Sequence, residues 1–366
     1  MIPTPGPDRA AAARPVPPPE IRKIPKPACV ACGGAGVAAY RGLRDRVASA
    51  PGSWDLSRCA NARCGLLWLD PMPAPEELGK LYERYHTHSD LPLADSRGRR
   101  LFRGLVEAYL HSRYGYYRDR RWEWPPLLGR LLHLHPGRRS IADGLVMGLA
   151  ARAGGRLLEV GCGSGESLRL LQELGWDAEG VDFDPEAVAN ARAKGLRVRQ
   201  GDLAAQAFDS SSFDAVIASH VIEHVPDPEA LLVEALRVLR PGGTLVLYTP
   251  NAASFGSRHF REAWRGLEPP RHLHVFTPDA LSALTRRAGF AQVSWDAPER
   301  GSVILLASRS LRKHGRIVPD AHTWGERLLR EASFYLEALI CFVRPRAGEE
   351  IRLRAQRPTA PDPGRG

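Results

Sequence analysis

From Arg156 to Glu166 the chain reads Arg-Leu-Leu-Glu-Val-Gly-Cys-Gly-Ser-Gly-Glu, an apolar strand that ends on a carboxylate, breaks into alternating glycines and opens a helix over Glu166 to Leu174. No other stretch limits the possible folds so tightly. Gly161, Gly163 and Gly165 admit positive φ, so the backbone can turn sharply and bring its N–H groups toward a ligand. The helix that follows points its positive end at the same spot. Together these make a cradle for a nucleotide or adenosyl group. The alternative is a turn whose glycines serve tight packing alone.

Spacing separates this turn from the dinucleotide fingerprint G-x-G-x-x-G, because Glu166 stands where the third glycine belongs. The pattern present is E-x-G-x-G-x-G, starting at Glu159, and βαβ spacing continues behind it. Asp177 to Val181 reads as a second strand that ends at Asp182 and Phe183, where an acceptor-only carboxylate suits two ribose hydroxyls. Gln200-Gly-Asp202-Leu203 follows a third short strand, Phe213 to Ser219 is a fourth, and Pro241 to Pro250 is a turn and a fifth. This succession resembles the class I S-adenosylmethionine (SAM)-dependent methyltransferases. The resemblance implies an α/β fold, a Rossmann-like seven-stranded sheet with an antiparallel last strand. It also implies SAM as cofactor, held by Glu159, Gly161, Gly163, Gly165, Asp182, Phe183, Asp202, Leu203, Ser219 and His220, with Asp202 beside the adenine amino group.

At 366 residues the chain is too long for such a core alone and suits two units with extensions. Six cysteines are present, and Cys29-Val-Ala-Cys32 and Cys59-Ala-Asn-Ala-Arg-Cys64 form two knuckles 26 residues apart. Such turns present thiolates to one tetrahedral ion, and the glycines after Cys32 and Cys64 permit the tight turn. Zinc on Cys29, Cys32, Cys59 and Cys64 is the expectation, against unmetallated or disulfide-bonded turns. Cys64-Gly-Leu-Leu-Trp-Leu-Asp-Pro71, with Glu76-Glu-Leu after it, resembles the N-terminal segment of a bacterial methyltransferase group that includes nucleotide-sugar C-methyltransferases.

The expected organisation is a disordered Pro/Ala-rich tail at 1–27, a zinc module and linker helix at 28–90, and a helical lid at 91–153. The SAM domain follows at 154–357 with a helical insertion at about 300–345, and 358–366 is a tail. Tyr109, Tyr114, Tyr116, Tyr117, Trp122 and Trp124 stand among arginines in the lid, able to pack it onto the core or to stack on bases and sugar faces. In the insertion, Leu328, Ala332, Tyr335, Leu336, Leu339, Ile340 and Val343 form a helical apolar stripe. It is expected to pack onto the protein, with a dimer face and an interfacial membrane helix as alternatives.

The net charge of +10 is uneven: Arg97–Arg139 carries +8 and Arg300–Arg357 +6, so the remainder is mildly acidic. Basic flanks suit a phosphorylated or nucleotide-linked small molecule, an anionic membrane surface or, less well, nucleic acid. No apolar leader precedes Ala28 and no apolar run reaches the ~20 residues of a membrane span. A cytoplasmic protein, soluble or peripheral, is the expectation.

Methyl transfer is an in-line displacement, so acceptor-side residues belong at the ends of the fourth and fifth strands. The fourth ends in Ser219-His220-Val-Ile-Glu223-His224, which resembles the segment in ubiquinone-biosynthesis and sugar methyltransferases; after the fifth comes Glu268-Pro-Pro-Arg271-His272-Leu-His274. His224 and His272 are the candidate bases, Glu223 and Arg271 the candidate substrate contacts, and His220 the residue expected to touch SAM through its backbone. The leading reading is a methyltransferase acting on a small or carrier-linked metabolite, with a nucleotide-linked sugar or cell-envelope glycan precursor as the favoured class. The alternatives are an RNA methyltransferase, whose affinity would fall steeply with salt, and a non-catalytic SAM-binding scaffold.

Overall fold

The computed structural model describes residues 21–82, 97–116, 125–299, 301–318 and 323–359. The N-terminal part holds strands β1 (Lys23–Ile24), β2 (Gly36–Leu43), β3 (Trp54–Cys59), β4 (Leu67–Leu69) and β5 (Met72–Pro73), then a 3-10 turn over Pro75–Leu81. Helix α1 (Arg97–Tyr114), a 3-10 turn over Pro126–Leu134 and α2 (Pro136–Leu145) follow. The alternating core runs β6 (Arg156–Val160), α3 (Glu166–Glu173), β7 (Asp177–Asp182), α4 (Pro185–Ala193), β8 (Val198–Gln200), β9 (Phe213–Ser219), α5 (Pro228–Val238) and β10 (Leu239–Pro250). After it come α6 (Phe255–Phe260), β11 (His274–Val275), α7 (Pro278–Arg287), β12 (Ala291–Asp296), α8 (Ser302–His314), α9 (Trp324–Val343) and β13 (Glu350–Gln356).

Seven strands form one sheet in the order β12-β13-β10-β9-β6-β7-β8. The five from β10 to β8 are parallel, and β13 joins β10 antiparallel, Leu247 opposite Leu353. This is the Rossmann-like sheet with an antiparallel last strand that the sequence implies. Its central strands are apolar throughout because both faces are covered: Leu157, Leu158, Val216, Ile217, Leu245 and Val246 are all buried. Asp184 caps α4 by accepting from Glu186 and Ala187, with Pro185 in the first turn, and Thr277 caps α7 in the same way through Ala280.

A second sheet has the order β11-β4-β3-β2. Three of its strands belong to the cysteine-bearing segment, but β11 comes from between β10 and α7, with His274 opposite Trp68. The segment expected as a separate module therefore shares its sheet with the main domain. Residues 21–27, expected as part of a disordered tail, are ordered instead: Ile21 is buried and β1 pairs with β5. The rest of that tail, residues 1–20, lies outside the described residues, as do Tyr117, Trp122 and Trp124.

The lid aromatics that are described pack inward. Tyr109 and Tyr114 both donate to Asp143 Oδ1 at 2.7 Å, and Trp176 Nε1 donates to Tyr116 Oη at 2.9 Å. They serve packing of the helical layer on the sheet. The apolar stripe of α9 does the opposite of what was expected. Leu328, Tyr335, Leu336, Leu339 and Val343 are exposed, while the face that packs inward carries Ser333, Phe334 and Glu337. Periodicity alone establishes a stripe; which way it turns depends on what the neighbouring helices offer, and here α9 meets α8 and α2 with its opposite side.

Candidate functional site

The expected cofactor residues gather at the carboxyl ends of the parallel strands, the edge where open α/β sheets hold ligands. Glu159, Gly161, Gly163 and Gly165 stand at and beyond the end of β6, Asp182 and Phe183 at the end of β7, Asp202 and Leu203 just past β8, and Ser219 and His220 at the end of β9. The glycines are required by geometry. Gly161, Gly163 and Gly165 have φ of +72°, +53° and +82°. A Cβ on Gly161 would stand 2.3 Å from a Val221 methyl, and one on Gly165 2.2 Å from a Leu196 methyl.

The turn is stiffened from within. Gly161 N donates to the Val181 carbonyl, Gly163 N to Asp182 Oδ2 at 2.7 Å, and Gly165 N to the Cys162 carbonyl. These three N–H groups are therefore committed to the protein, and the turn offers a ligand its shape rather than these donors. Asp182 also accepts from Asp184 N through Oδ1, so the carboxylate expected to meet ribose already positions the loop with both oxygens. Its remaining lone pairs are the ones left for a ribose. Glu159 is buried, and Oε2 has no hydrogen-bond partner among the described residues. Burial pushes its pKa up to about 8, with the nearby Asp182 charge adding to the rise. An orphaned buried carboxylate oxygen beside a glycine cradle fits a ligand that brings a donor or a positive charge, as the amino acid end of SAM does.

Next to this edge lies a cavity of about 1200 Å³. His220, His224, Glu268 and His272 give it a polar floor, Glu166 and Ser167 bring the first turn of α3 to it, and Ile141, Leu145, Val303, Ile304 and Phe334 give apolar walls. Both expected bases thus face one space, their ring centroids 4.8 Å apart. His224 Nδ1 is 3.0 Å from the Arg271 carbonyl and 3.0 Å from Tyr82 Oη. A carbonyl only accepts, so Nδ1 carries the proton and Nε2 bears the lone pair. His272 is fixed alike through Nδ1 on the Gly266 carbonyl at 2.8 Å. Burial pushes its pKa down to about 4, so it stays neutral at neutral pH.

His220 has another character. Nδ1 meets Glu223 Oε1 at 3.1 Å and Nε2 meets Glu350 Oε1 at 2.9 Å. Burial opposes a charge there, but the hydrogen bonds that the ring donates to Glu223 and Glu350 overcome it and hold the pKa up at about 10. Its backbone N–H is spent on the Tyr248 carbonyl, leaving only the carbonyl of that residue to meet a cofactor.

Two expected substrate contacts do not reach the cavity. Arg271 has a fully buried side chain, bound to Asp45 through Nη1 at 2.8 Å and Nη2 at 3.0 Å and to Glu268 through Nε at 2.9 Å. Burial works against its charge, yet these carboxylates hold its pKa above the usual arginine value. It is a buried strut between the two sheets' loops. Glu223 has no exposed surface and serves to hold His220. Its nearest oxygen, His224 and His272 place ligand atoms within 4.8 Å of one another, close enough to hold a metal ion. Tyr82 was not foreseen as a site residue. It lies at the end of the turn that begins at Pro75, meets Phe183 edge to face at 5.1 Å and brings its hydroxyl to His224.

The four expected zinc ligands converge. Cys29 Sγ is 3.6 Å from Cys64 Sγ, Cys32 Sγ is 3.4 Å from Cys59 Sγ, and all four sulfurs lie within 4.8 Å of one another. Gly33 and Gly65, one past each knuckle, have φ of +71° and +61°. The Cys64 thiol lowers the pKa of Cys29 to about 5 by donating to it, while Cys29 and burial together push Cys64 far up. Without a cation the thiolates cannot coexist, which is the electrostatic demand that zinc meets.

A model of the methyltransferase domain matches residues 133–294. A probable SAM-dependent methyltransferase of Mycolicibacterium smegmatis is 32% identical over 200 residues, which covers 50% of this chain and 73% of that protein. A ubiquinone biosynthesis O-methyltransferase of Xanthomonas oryzae pv. oryzae is 43% identical over 108 residues, 27% of this chain and 44% of that enzyme, so the chain spans less than half of its length. Among solved structures, phosphoethanolamine N-methyltransferase 2 of Haemonchus contortus in complex with SAM aligns with a TM-score of 0.43 and 16% identity over 80% of this chain and 63% of that one. With the fold, the glycine turn and these relatives in place, the chain belongs to the SAM-dependent methyltransferases.

Proposed function

We propose that this enzyme moves the methyl group of SAM onto a hydroxyl of a small or carrier-linked acceptor, with His224 as the base. The observation that carries the reading is the fixed tautomer of His224, whose Nδ1 proton is held on the Arg271 carbonyl at 3.0 Å while the ring lines the cavity. SAM, when bound, supplies an electrophilic methyl group together with its own leaving group. The acceptor oxygen forms the new bond to carbon as its proton passes to His224 Nε2. Tyr82 and the Arg271 carbonyl hold the ring in orientation, and the imidazolium that forms lies near Glu223.

The acceptor class we favour is a nucleotide-linked sugar or a glycan precursor on a phosphate carrier. Arg103 lines the same cavity and offers charge to a phosphate, while Arg169 beside it is paired with Glu166, and the cysteine segment, which resembles that of sugar methyltransferases, delivers Tyr82 to the base. We assign one zinc ion to Cys29, Cys32, Cys59 and Cys64 as a closed structural site.

The test is transfer of label from SAM to a panel of nucleotide sugars. His224→Ala is expected to lower kcat by ~10²–10⁴ and to leave S-adenosylhomocysteine affinity unchanged by calorimetry. Loss of that affinity with kcat would show that His224 shapes the cofactor site instead. The spacing of Glu223, His224 and His272 favours a second reading, a divalent ion held there. In that case mild chelation stops transfer and added magnesium or manganese restores it, while the zinc on the cysteines stays in place.

A further inference from the structure

We propose that α9, with the adjoining turn over Pro126–Leu134, is a docking face for an anionic lipid bilayer and lies in the plane of its interface. The face is apolar and turned outward. Trp324 and Phe342 are 87% and 86% exposed, and Leu328, Tyr335 and Leu339 lie between them on the same side of the helix. These positions recur every three, four or seven residues and so share one stripe, ~27 Å long at the ~1.5 Å rise of a helix. Leu127, Leu131 and Leu134 are exposed beside it, and Tyr335 Oη donates to the Leu134 carbonyl, which joins the two patches into one surface. Isolated exposed leucines are ordinary; a continuous stripe of this length is not.

Three observations favour a bilayer as the occupant. The first is charge. Ser302–Val318, which includes α8 packed against α9, carries Arg309, Arg312, Lys313 and Arg316, all exposed, and no acidic residue. Arg344 follows the end of α9 and is exposed, Arg346 beyond it is paired with Asp279, and Glu331, which sits on the stripe between Leu328 and Tyr335, is paired with Arg138. A basic surround complements anionic headgroups, and it would set like charges against each other if a second copy of the chain covered the face. The second is the form of the helix. α9 exposes Trp324, Leu328, Tyr335, Leu339 and Phe342 on one side and buries Ser333, Phe334 and Glu337 on the other, the one-sided pattern of a helix that lies on a surface. The third is continuity with the cavity. Val303 is exposed on α8 and also lines the cavity, while Phe334 on the inner side of α9 forms part of its wall. The docked face thus stands at the apolar wall of the site.

The test is sedimentation of the full zinc-loaded chain with vesicles of phosphatidylcholine alone and with about one quarter phosphatidylglycerol. Binding is expected to the anionic vesicles, to weaken as salt rises, and to fall about tenfold or more in Leu339→Asp and in Phe342→Asp. Both side chains are exposed, so both variants are expected to keep their melting temperature and S-adenosylhomocysteine affinity, which separates a docking defect from a folding one. The docking claim does not depend on which acceptor is methylated. Failure to sediment with anionic vesicles, or binding that the two substitutions leave unchanged, would overturn it. So would a dimer in equilibrium ultracentrifugation that the same substitutions dissociate, because the face would then be an interface between copies.

Discussion

The cysteine-bearing segment and the α8–α9 pair are both additions to one sheet, and they join it by different chemistry. The first is bound through main chain and buried charge. β11 completes its sheet, Thr277 at the start of α7 donates to the Cys64 carbonyl, and Arg287 donates to the Val30 and Ala31 carbonyls. The Arg271–Asp45 pair crosses between them with both side chains fully buried. In the second, α9 turns most of its large apolar side chains outward and buries Ser333, Phe334 and Glu337, with Glu337 next to Glu349 and Glu350. The difference teaches that one addition is tied into the floor of the cavity through Tyr82 and Asp45, whereas the other leaves an apolar face exposed.

Substitutions can break this contrast, and the largest effect belongs to the metal. Cys29→Ser should reduce zinc content and, because the segment shares its sheet with the core, remove secondary structure from the whole chain in one cooperative transition. The binding energy of such a site is about 10 kcal/mol, so the loss should be plain by circular dichroism; two separated transitions would mean that the segment is an independent domain. Asp45→Ala should cost about 3–5 kcal/mol in denaturant titration, since it takes from the buried Arg271 the carboxylate bound to both its Nη atoms and leaves it Glu268 on Nε. A cost below about 1 kcal/mol would place that pair in water.

The remaining effect concerns α9. Burial and the charges of Glu349 and Glu350 raise the Glu337 pKa to about 8 from an ordinary 4.5. The folded state therefore favours the proton. The stabilisation is complete below about 4.5 and disappears as pH rises through about 8. Stability should fall over that window by up to about 1.4 kcal/mol per pH unit, and Glu337→Gln should flatten the fall. Glu349, raised to about 7, titrates alongside and should leave part of the slope in that variant. A flat wild-type profile from pH 5 to 8 would show that the acid layer is hydrated.

How much of this was legible depended on the range of the interactions. The strand, glycine turn and helix at Arg156–Glu173 could be read because each residue's task is local: φ sign, alternation, cap. The cysteine knuckles were legible for a related reason, as two short spacings imply one ion. Arg271 was misread because its partner, Asp45, is 226 residues away, and an arginine beside histidines looks like a substrate contact until the acid that buries it is known. Tyr82 carried no signal beyond its place at the end of a proline-started turn. His274 ended the histidine-rich turn after the fifth strand in the sequence, and as a residue of β11 it lies buried against the cysteine sheet.

The two-residue strand His274–Val275 also sets an order of events at birth. Its partner β4 ends at Leu69, so the edge it covers leaves the ribosome roughly 200 residues earlier in synthesis. At ~5–20 residues per second the interval is on the order of ten to forty seconds. During that time the nascent segment holds an uncovered strand and four thiols. On the zinc assignment proposed above, metal capture is a race between zinc supply and oxidation on a half-built sheet, and the second half of the gene closes it.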